Sequence, residues 1–288
     1  MTQWSPAYRL APGLHLVATP IGNLGDLTLR AHWVLRSVDR ILCEDTRVTS
    51  RLLTQFGINR PLEPYHDHNA DRVRPGVIEA LRRGEILALV SDAGTPLLSD
   101  PGYKLVREAV AVGLPVTAAP GASAAVTALI LSGLPPNNFF FGGFLPPRSG
   151  ARRHVLERWR AIETTLIFYE GPTRLAASLA DMADVLGDRE AAIARELTKR
   201  HEEVRRGRLR QLVDDYAAAG VPRGELVIVV GPPNPNPGDI AEDLDARLLA
   251  LLDRHSLRDA VALAVAATGL ARRVVYERAL ALHGSGET

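Results

Sequence analysis

The sequence predicts an α/β protein with two α/β domains and a small helical domain at its C-terminal end. Three observations carry that prediction. Short apolar, β-branched runs alternate with segments of helical spacing, the pattern of strands wrapped by crossover helices. A break rich in proline and asparagine, SGLPPNN, falls within Leu131–Asn138 and separates residues 1–133 from 134–231. A second break, PPNPNPG at 232–238, removes backbone donors and fixes φ, so it reads as a linker ahead of residues 239–288.

The elements follow in order. Leu14–Thr19 reads as a strand that runs into a Pro/Gly/Asn turn, and Leu27–Val38 has helical spacing. Ile41–Glu44 is a second strand, and Val48–Phe56 a helix stopped by Gly57. Val73–Arg83 is a helix closed by Gly84, a common C-terminal glycine position. Ile86–Ser91 is nearly all apolar, as a strand buried on both faces should be. Pro101–Ala111 is a helix with proline in its first turn, Val116–Ala119 a strand, and Ala122–Leu131 a helix of small residues. In the second half Phe139–Phe144, Thr165–Tyr169, Ala191–Glu196 and Leu226–Val230 read as strands. Arg152–Arg160, Leu175–Leu186 and Leu209–Ala218 read as helices. Three short helices close the chain at Ala241–Arg254, Leu257–Ala267 and Arg272–Leu282.

Composition bounds the function. With 288 residues, 46% hydrophobic and 23% charged, the chain can build substantial cores. No stretch is apolar enough to span a bilayer, so no membrane partner is expected. The opening MTQWSPAYRLAPG lacks the basic start and apolar run of a secretory leader. Cys43 is the single cysteine, which fits a cytoplasmic protein without an internal disulfide. A net charge of +1 does not mark a protein that coats nucleic acid, but the charge is uneven. Arg148–Arg160 holds five arginines against one acid, and Arg195–Arg210 seven basic residues against three acids. Solvated helix faces or phosphate-binding strips both fit such runs.

Neither a GxxxxGK[ST] phosphate loop nor a GxGxxG after the first strand occurs, which disfavours a Rossmann dinucleotide site. Three other strand-to-helix turns stand out: TPIGNLGD at 19–26, SDAGTPLLSDPG at 91–102 and APGASA at 119–124. Each lies at the carboxyl end of a strand, where open α/β sheets bind ligands. Each alone could be a plain connector. His66 and His68 have an HxH spacing, but no third ligand is evident, so a solvent-facing loop is expected and no metal.

The segments LVATPIGNLGDLTLRA, ILCEDTRVTSRLL, YHDHNA, ALVSDAGTPLLSDPGYKLV, APGASAAVTAL, GFLPPRS, TLIFYEGPTRL, ARELTKRHEEV and GELVIVV occur in one order between residues 16 and 230. In that order they resemble the rRNA-modifying branch of the tetrapyrrole-methylase superfamily. LRDAVALAVAATGLARRVVYERAL at 257–280 resembles that branch's helix-turn-helix-like C-terminal domain. The first turn, TPIGN, departs from the glycine-rich turn of cobalamin-pathway methylases, as it does in the rRNA enzymes.

The resemblance implies a fold of the tetrapyrrole-methylase type with S-adenosylmethionine (SAM) in the cleft between the two α/β domains. It also implies a homodimer, and methyl transfer to the ribose 2′-hydroxyl of cytidine 1402 in 16S rRNA of the small ribosomal subunit. The cofactor contacts it implies are Pro20, Ser91, Asp92, Ala93, Thr95, Ser123 and Ala124 from the first domain, and Tyr169, Leu197 and Glu225 from the second. A ribose hydroxyl is a poor acid, so a base or cation near it would help. Candidates are Glu44, Asp45 and Arg47 in CEDTR, Glu170 in FYE, and Glu196 and Lys199 in RELTK. Asp45 with Arg47 could equally be a local ion pair, and Lys199 a phosphate anchor. Arg148, Arg152, Arg153, Arg158, Arg200, Arg205 and Arg206 are the expected RNA contacts. Two rival readings are a methylase of a tetrapyrrole intermediate and an RNA-binding assembly factor without catalysis.

Overall fold

The computed structural model describes residues 9–233, 237–268 and 270–284. Most of the opening segment (1–8) and residues 234–236 of the proline-rich stretch lie outside them, as do 269 and 285–288. Two compact units divide at residue 233.

The first unit contains two five-stranded sheets. In the first sheet β1 (Gly13–Val17), β2 (Arg40–Cys43), β3 (Leu62–Pro64), β4 (Ile86–Val90) and β5 (Val116–Ala119) run parallel in the order β3-β2-β4-β1-β5. Its crossovers carry α1 (Leu29–Ser37), α2 (Thr46–Gln55), α3 (Ala70–Arg82) and α4 (Tyr103–Ala111). The near-continuous apolar run of β4 is explained by its two covered faces. Ala88 and Val90 pack with Leu35 and Val38, whereas Leu87 and Leu89 pack with Val77, Ile78 and Leu105.

The second sheet is mixed: β6 (Phe139–Phe144), β7 (Thr165–Glu170), β8 (Glu190–Arg195), β9 (Glu203–Arg208) and β10 (Leu226–Val230), ordered β6-β7-β10-β8-β9. Only β6 and β7 are parallel; the other pairs are antiparallel. One face is covered by α6 (Ser149–Trp159), α7 (Leu175–Leu186) and α8 (Leu209–Ala219). The other face meets α5 (Ala124–Ser132), whose Ala125, Ala128 and Leu129 pack on Ile167, Ala192, Ala194, Val227 and Val229. The small residues of α5 let its backbone approach closely, and the helix joins one sheet to the other.

Two elements escaped the periodicity. β3 is three residues long and half-buried, too short to show alternation. β9, EVRRGR, reads as part of a basic run on a helix face but is an edge strand. Its pairing with β8 sets the conformation, and partial burial of one edge suits charged side chains.

The second unit is helical: α9 (Pro237–Leu252), α10 (Leu257–Thr268) and α11 (Arg272–Gly284) around Leu244, Leu248, Val261, Ala264, Val275 and Ala279. α9 begins at Pro237, inside the stretch expected to be linker, because proline lacks only a donor that the first helical turn leaves free. Ser256 accepts the Asp259 N–H at 3.2 Å ahead of α10. Among the described residues no helix is long and apolar enough to cross a membrane.

Candidate active site

β1 lies between β4 and β5, so the loops after these three strands emerge side by side at the sheet's carboxyl edge. The sequence knits them together. Thr19 N–H donates to Gly94 O at 2.9 Å, and Gly94 N–H returns a bond to Thr19 O at 3.1 Å. The Thr19 hydroxyl donates to Ser91 O at 3.2 Å and the Ser91 hydroxyl to Gly94 O at 3.1 Å. Thr95 Oγ1 donates to Ala122 O at 3.0 Å, tying the second loop to the third.

Facing these loops are the end of β7, the turn after β8 and the start of β10. Between the two sets lies a cleft of about 330 Å³. Ile21, Leu98, Phe144, Leu197 and Val227 give it apolar walls, and Asp92, Asp100, Glu170 and Glu225 line it too. Among the described residues, left-handed backbone outside glycine occurs at Leu97, Ser99, Glu196 and Thr198 only. All four sit in the two loops that flank the cleft, the kind of local strain that collects where a fold holds a ligand.

The acids in and beside the cleft differ in state. Burial, with the nearby Glu44 and Asp92 carboxylates, pushes Asp100 up to about 6. Burial and the Asp92 charge likewise raise Glu44. Asp92 accepts the Asp45 N–H at 3.1 Å. Glu225 faces Lys199, whose Nζ donates to Glu196 Oε1 at 2.8 Å and to Glu225 Oε2 at 3.1 Å. Burial alone would lower the Lys199 ammonium, but the two carboxylates outweigh it and hold the pKa above the usual lysine value. The stem of Lys199 crosses Gly22 so closely that a Cβ there would lie 2.5 Å from Lys199 Cγ. The RELTK turn and the TPIGN turn therefore meet at this residue.

Of the expected cofactor contacts, Asp92, Ala93, Thr95, Ala124, Tyr169, Leu197 and Glu225 line the cleft. Pro20, Ser91 and Ser123 do not; Ser91 is buried and braces the loop, while Ser123 Oγ is buried without a hydrogen-bond partner at the start of α5. Ile21, Leu98, Asp100, Phe144, Pro172 and Val227 line it and were not singled out from the sequence. Asp100 and Phe144 belong to the SDAGTPLLSDPG and GFLPPRS segments, so the signal was present, but not the direction of each side chain.

Two expectations need correction. Glu170 cannot act as a base, because its carboxylate is buried and engaged on all sides. It accepts from Gly171 N at 2.8 Å, Ser178 Oγ at 2.5 Å and Arg174 at 2.6 Å, bonds that pin the start of α7. Arg152 cannot face RNA: it is 3% exposed, paired with Asp181 at 2.6 Å and bonded to Pro147 O at 3.2 Å. It lies on the inward face of α6, which helical spacing alone did not distinguish from the outward one.

The remaining expected residues are placed as follows. Asp45 caps α2 through the Arg47 N–H at 2.8 Å and pairs with the Arg47 guanidinium at 2.6 Å, which holds its carboxyl down at about 2. Arg148, Arg158 and Arg200 are exposed. Arg153 bridges Asp181 and Asp184. Arg205 pairs with Glu203 and lies 5.2 Å over the Tyr216 ring, and Arg206 donates to the carbonyls of Leu131 and Ser132. His66 and His68 lie edge to face at 6.0 Å, and among the described residues no three His, Cys, Asp or Glu groups are placed to hold a metal.

Comparison with known proteins adds to this geometry. Residues 13–213 match the family model described as Tetrapyrrole (Corrin/Porphyrin) Methylases, and residues 238–283 match the RsmI C-terminal HTH domain. The chain is 50% identical over 284 residues to Ribosomal RNA small subunit methyltransferase I of Mesorhizobium japonicum, covering 98% of this chain and 96% of that protein. It is 48% identical over 276 residues to the protein of the same name from Micromonospora olivasterospora, covering 95% and 88% respectively. A solved structure of diphthine synthase superposes with a TM-score of 0.59 at 16% identity, covering 76% of this chain and 89% of that one.

Proposed function

The chain belongs to the tetrapyrrole-methylase family, in the branch of ribosomal RNA small subunit methyltransferase I, and we propose that it transfers a methyl group from SAM to the ribose 2′-oxygen of cytidine 1402 in 16S rRNA. The observation that carries this reading is a cleft with both an apolar lining and carboxylates, among them Asp100, which burial and the nearby Glu44 and Asp92 charges act on. Such a cleft suits a molecule that joins a flat heterocycle to a positive charge.

The residues present fit that cofactor. Ile21, Leu197 and Val227 would hold the adenosine, and Asp92 with Asp100 would balance its charge. Bound SAM supplies a methyl carbon made electrophilic by a sulfonium. The chain's own part is to place the ribose oxygen in line with that carbon and keep water away. Exposed Arg148, Arg158 and Arg200 provide phosphate contacts.

The reading includes work on the small subunit in the cytoplasm and assembly as a homodimer. Exposed apolar side chains on α4 and α5, among them Tyr103, Val110, Val126 and Ile130, support the homodimer. Mass-spectrometric mapping of 2′-O-methyl groups on small-subunit rRNA, with and without the protein, tests the function. A methyl group at that cytidine only when the protein is present is the expected result. SAM binding without RNA methylation, or methylation of a tetrapyrrole instead, would overturn it.

A further inference from the structure

β6 is not a regular strand, and its irregularity has a directional consequence. In its pairing with β7, Phe140 lies opposite Leu166 and Phe141 opposite Ile167, but Gly143 rather than Gly142 lies opposite Phe168. Gly142 is the extra residue of a bulge. Without it, Phe144 would stand opposite Glu170 on the face covered by α6 and α7. With it, Phe144 stands opposite Tyr169, on the face that looks into the cleft.

The sequence builds this bulge deliberately. A Cβ on Gly142 would come within 2.6 Å of the Phe168 ring, and Gly143 has φ of +61°, a conformation suited to glycine. The result is a phenyl ring at the rim of the cleft, 56% exposed, with its centroid 5.5 Å from that of Tyr169. Among the other apolar walls Leu98 is 38% exposed, whereas Ile21, Leu197 and Val227 are each less than 10% exposed. They form an inner socket, and Phe144 stands outside it.

We propose that Phe144 is the platform on which the base of the target nucleotide stacks when its ribose enters the cleft. The inference rests on the ribose-methylation reading above. A 2′-hydroxyl within folded RNA reaches a narrow cleft only if its nucleotide swings out of its stack, which leaves a pyrimidine face exposed to water. An aromatic ring at the entrance recovers that stacking. The cofactor's adenine is the competing occupant. The buried inner socket suits a group that stays bound, and the exposed ring suits a base that arrives and leaves with each turnover.

The test uses the full chain with purified, unmethylated small subunits and compares Phe144→Ala, Phe144→Leu and Phe144→Trp. Because the ring is exposed, all three variants should keep the wild-type melting temperature. Stacking predicts that Phe144→Ala and Phe144→Leu lower kcat/KM for small subunits about 10- to 100-fold, and that Phe144→Trp restores most of the loss. SAM affinity by calorimetry should stay within about twofold of wild type. A fluorescent pyrrolocytosine at the target position should be quenched by the wild-type protein and by Phe144→Trp, but not by Phe144→Ala. Full activity in Phe144→Ala would overturn the proposal, as would equal rescue by leucine. A lost SAM affinity would assign the ring to the cofactor. If the wild-type protein methylates no small-subunit ribose, the functional reading fails first, and this result is told apart by wild type alone.

Discussion

At the scale of single residues, charge state in the cleft turns on Asp100. Burial and the neighbouring Glu44 and Asp92 hold its carboxyl at about 6, above the ordinary aspartate value. A cation bound beside it would favour the ionised form and lower that value. In the free protein Asp100 takes up a proton as the pH falls below about 6, so binding of a cationic cofactor must then expel it. SAM affinity should therefore be flat above about pH 6 and fall below it, by at most about tenfold per pH unit. Calorimetric titration from pH 5 to 8 measures this, and Asp100→Asn should weaken binding at neutral pH and flatten the profile. A profile unchanged by the substitution would separate Asp100 from the cofactor's charge. The same group acts on stability with the opposite sign. Its folded value is raised above its unfolded one, so the native state gains from protonation as the pH falls through about 6. This residue lies in a segment that drew attention from sequence as a ligand loop. Its state was not legible there, because it depends on Glu44, which the chain brings near from another strand's end.

At the scale of elements, α6 shows how a helix divides one kind of residue between two jobs. Arg152 is buried against Asp181 of α7, whereas Arg148 and Arg158 are exposed. Removing Arg152 leaves Asp181 with Arg153 at 3.2 Å and Ser149 at 3.0 Å but takes away its buried partner, so Arg152→Ala should destabilise the first unit by about 1–3 kcal/mol. Arg158→Ala should change stability by less than about 0.5 kcal/mol. Denaturant unfolding separates the two, and an effect as small as that of Arg158→Ala would show that Arg153 is partner enough for Asp181. Salt-dependent binding to small subunits should respond to Arg158→Ala in the reverse order, with a shallower slope from one lost phosphate contact. The sequence showed a cluster of five arginines but not which of them turn inward. It also missed β9, where pairing with β8 overrides the polar composition. α7, through its apolar spacing, and β10, through its unbroken apolar run, were legible to the residue, because both patterns are set by the faces these elements bury.

At the scale of the whole molecule, every residue that lines the cleft belongs to the first unit, while the second has a core of its own. A chain ending at Pro233 should therefore fold and bind SAM within about twofold of the full protein, as calorimetry and thermal melting would show. Failure to fold would mean that the first unit depends on residues beyond 233. The sequence by itself determined the fold class, the order of most elements and the family. Local spacing, turn residues and segment order are all properties of the chain taken one stretch at a time. Tertiary structure alone decided that α5 packs on the second sheet and joins it to the first, that Glu170 and Arg152 are internal ties, and that a one-residue bulge turns Phe144 into the cleft. Each of these depends on which face of an element meets a partner distant in sequence. A one-residue shift in pairing reverses that face without changing the local pattern that predicted the strand.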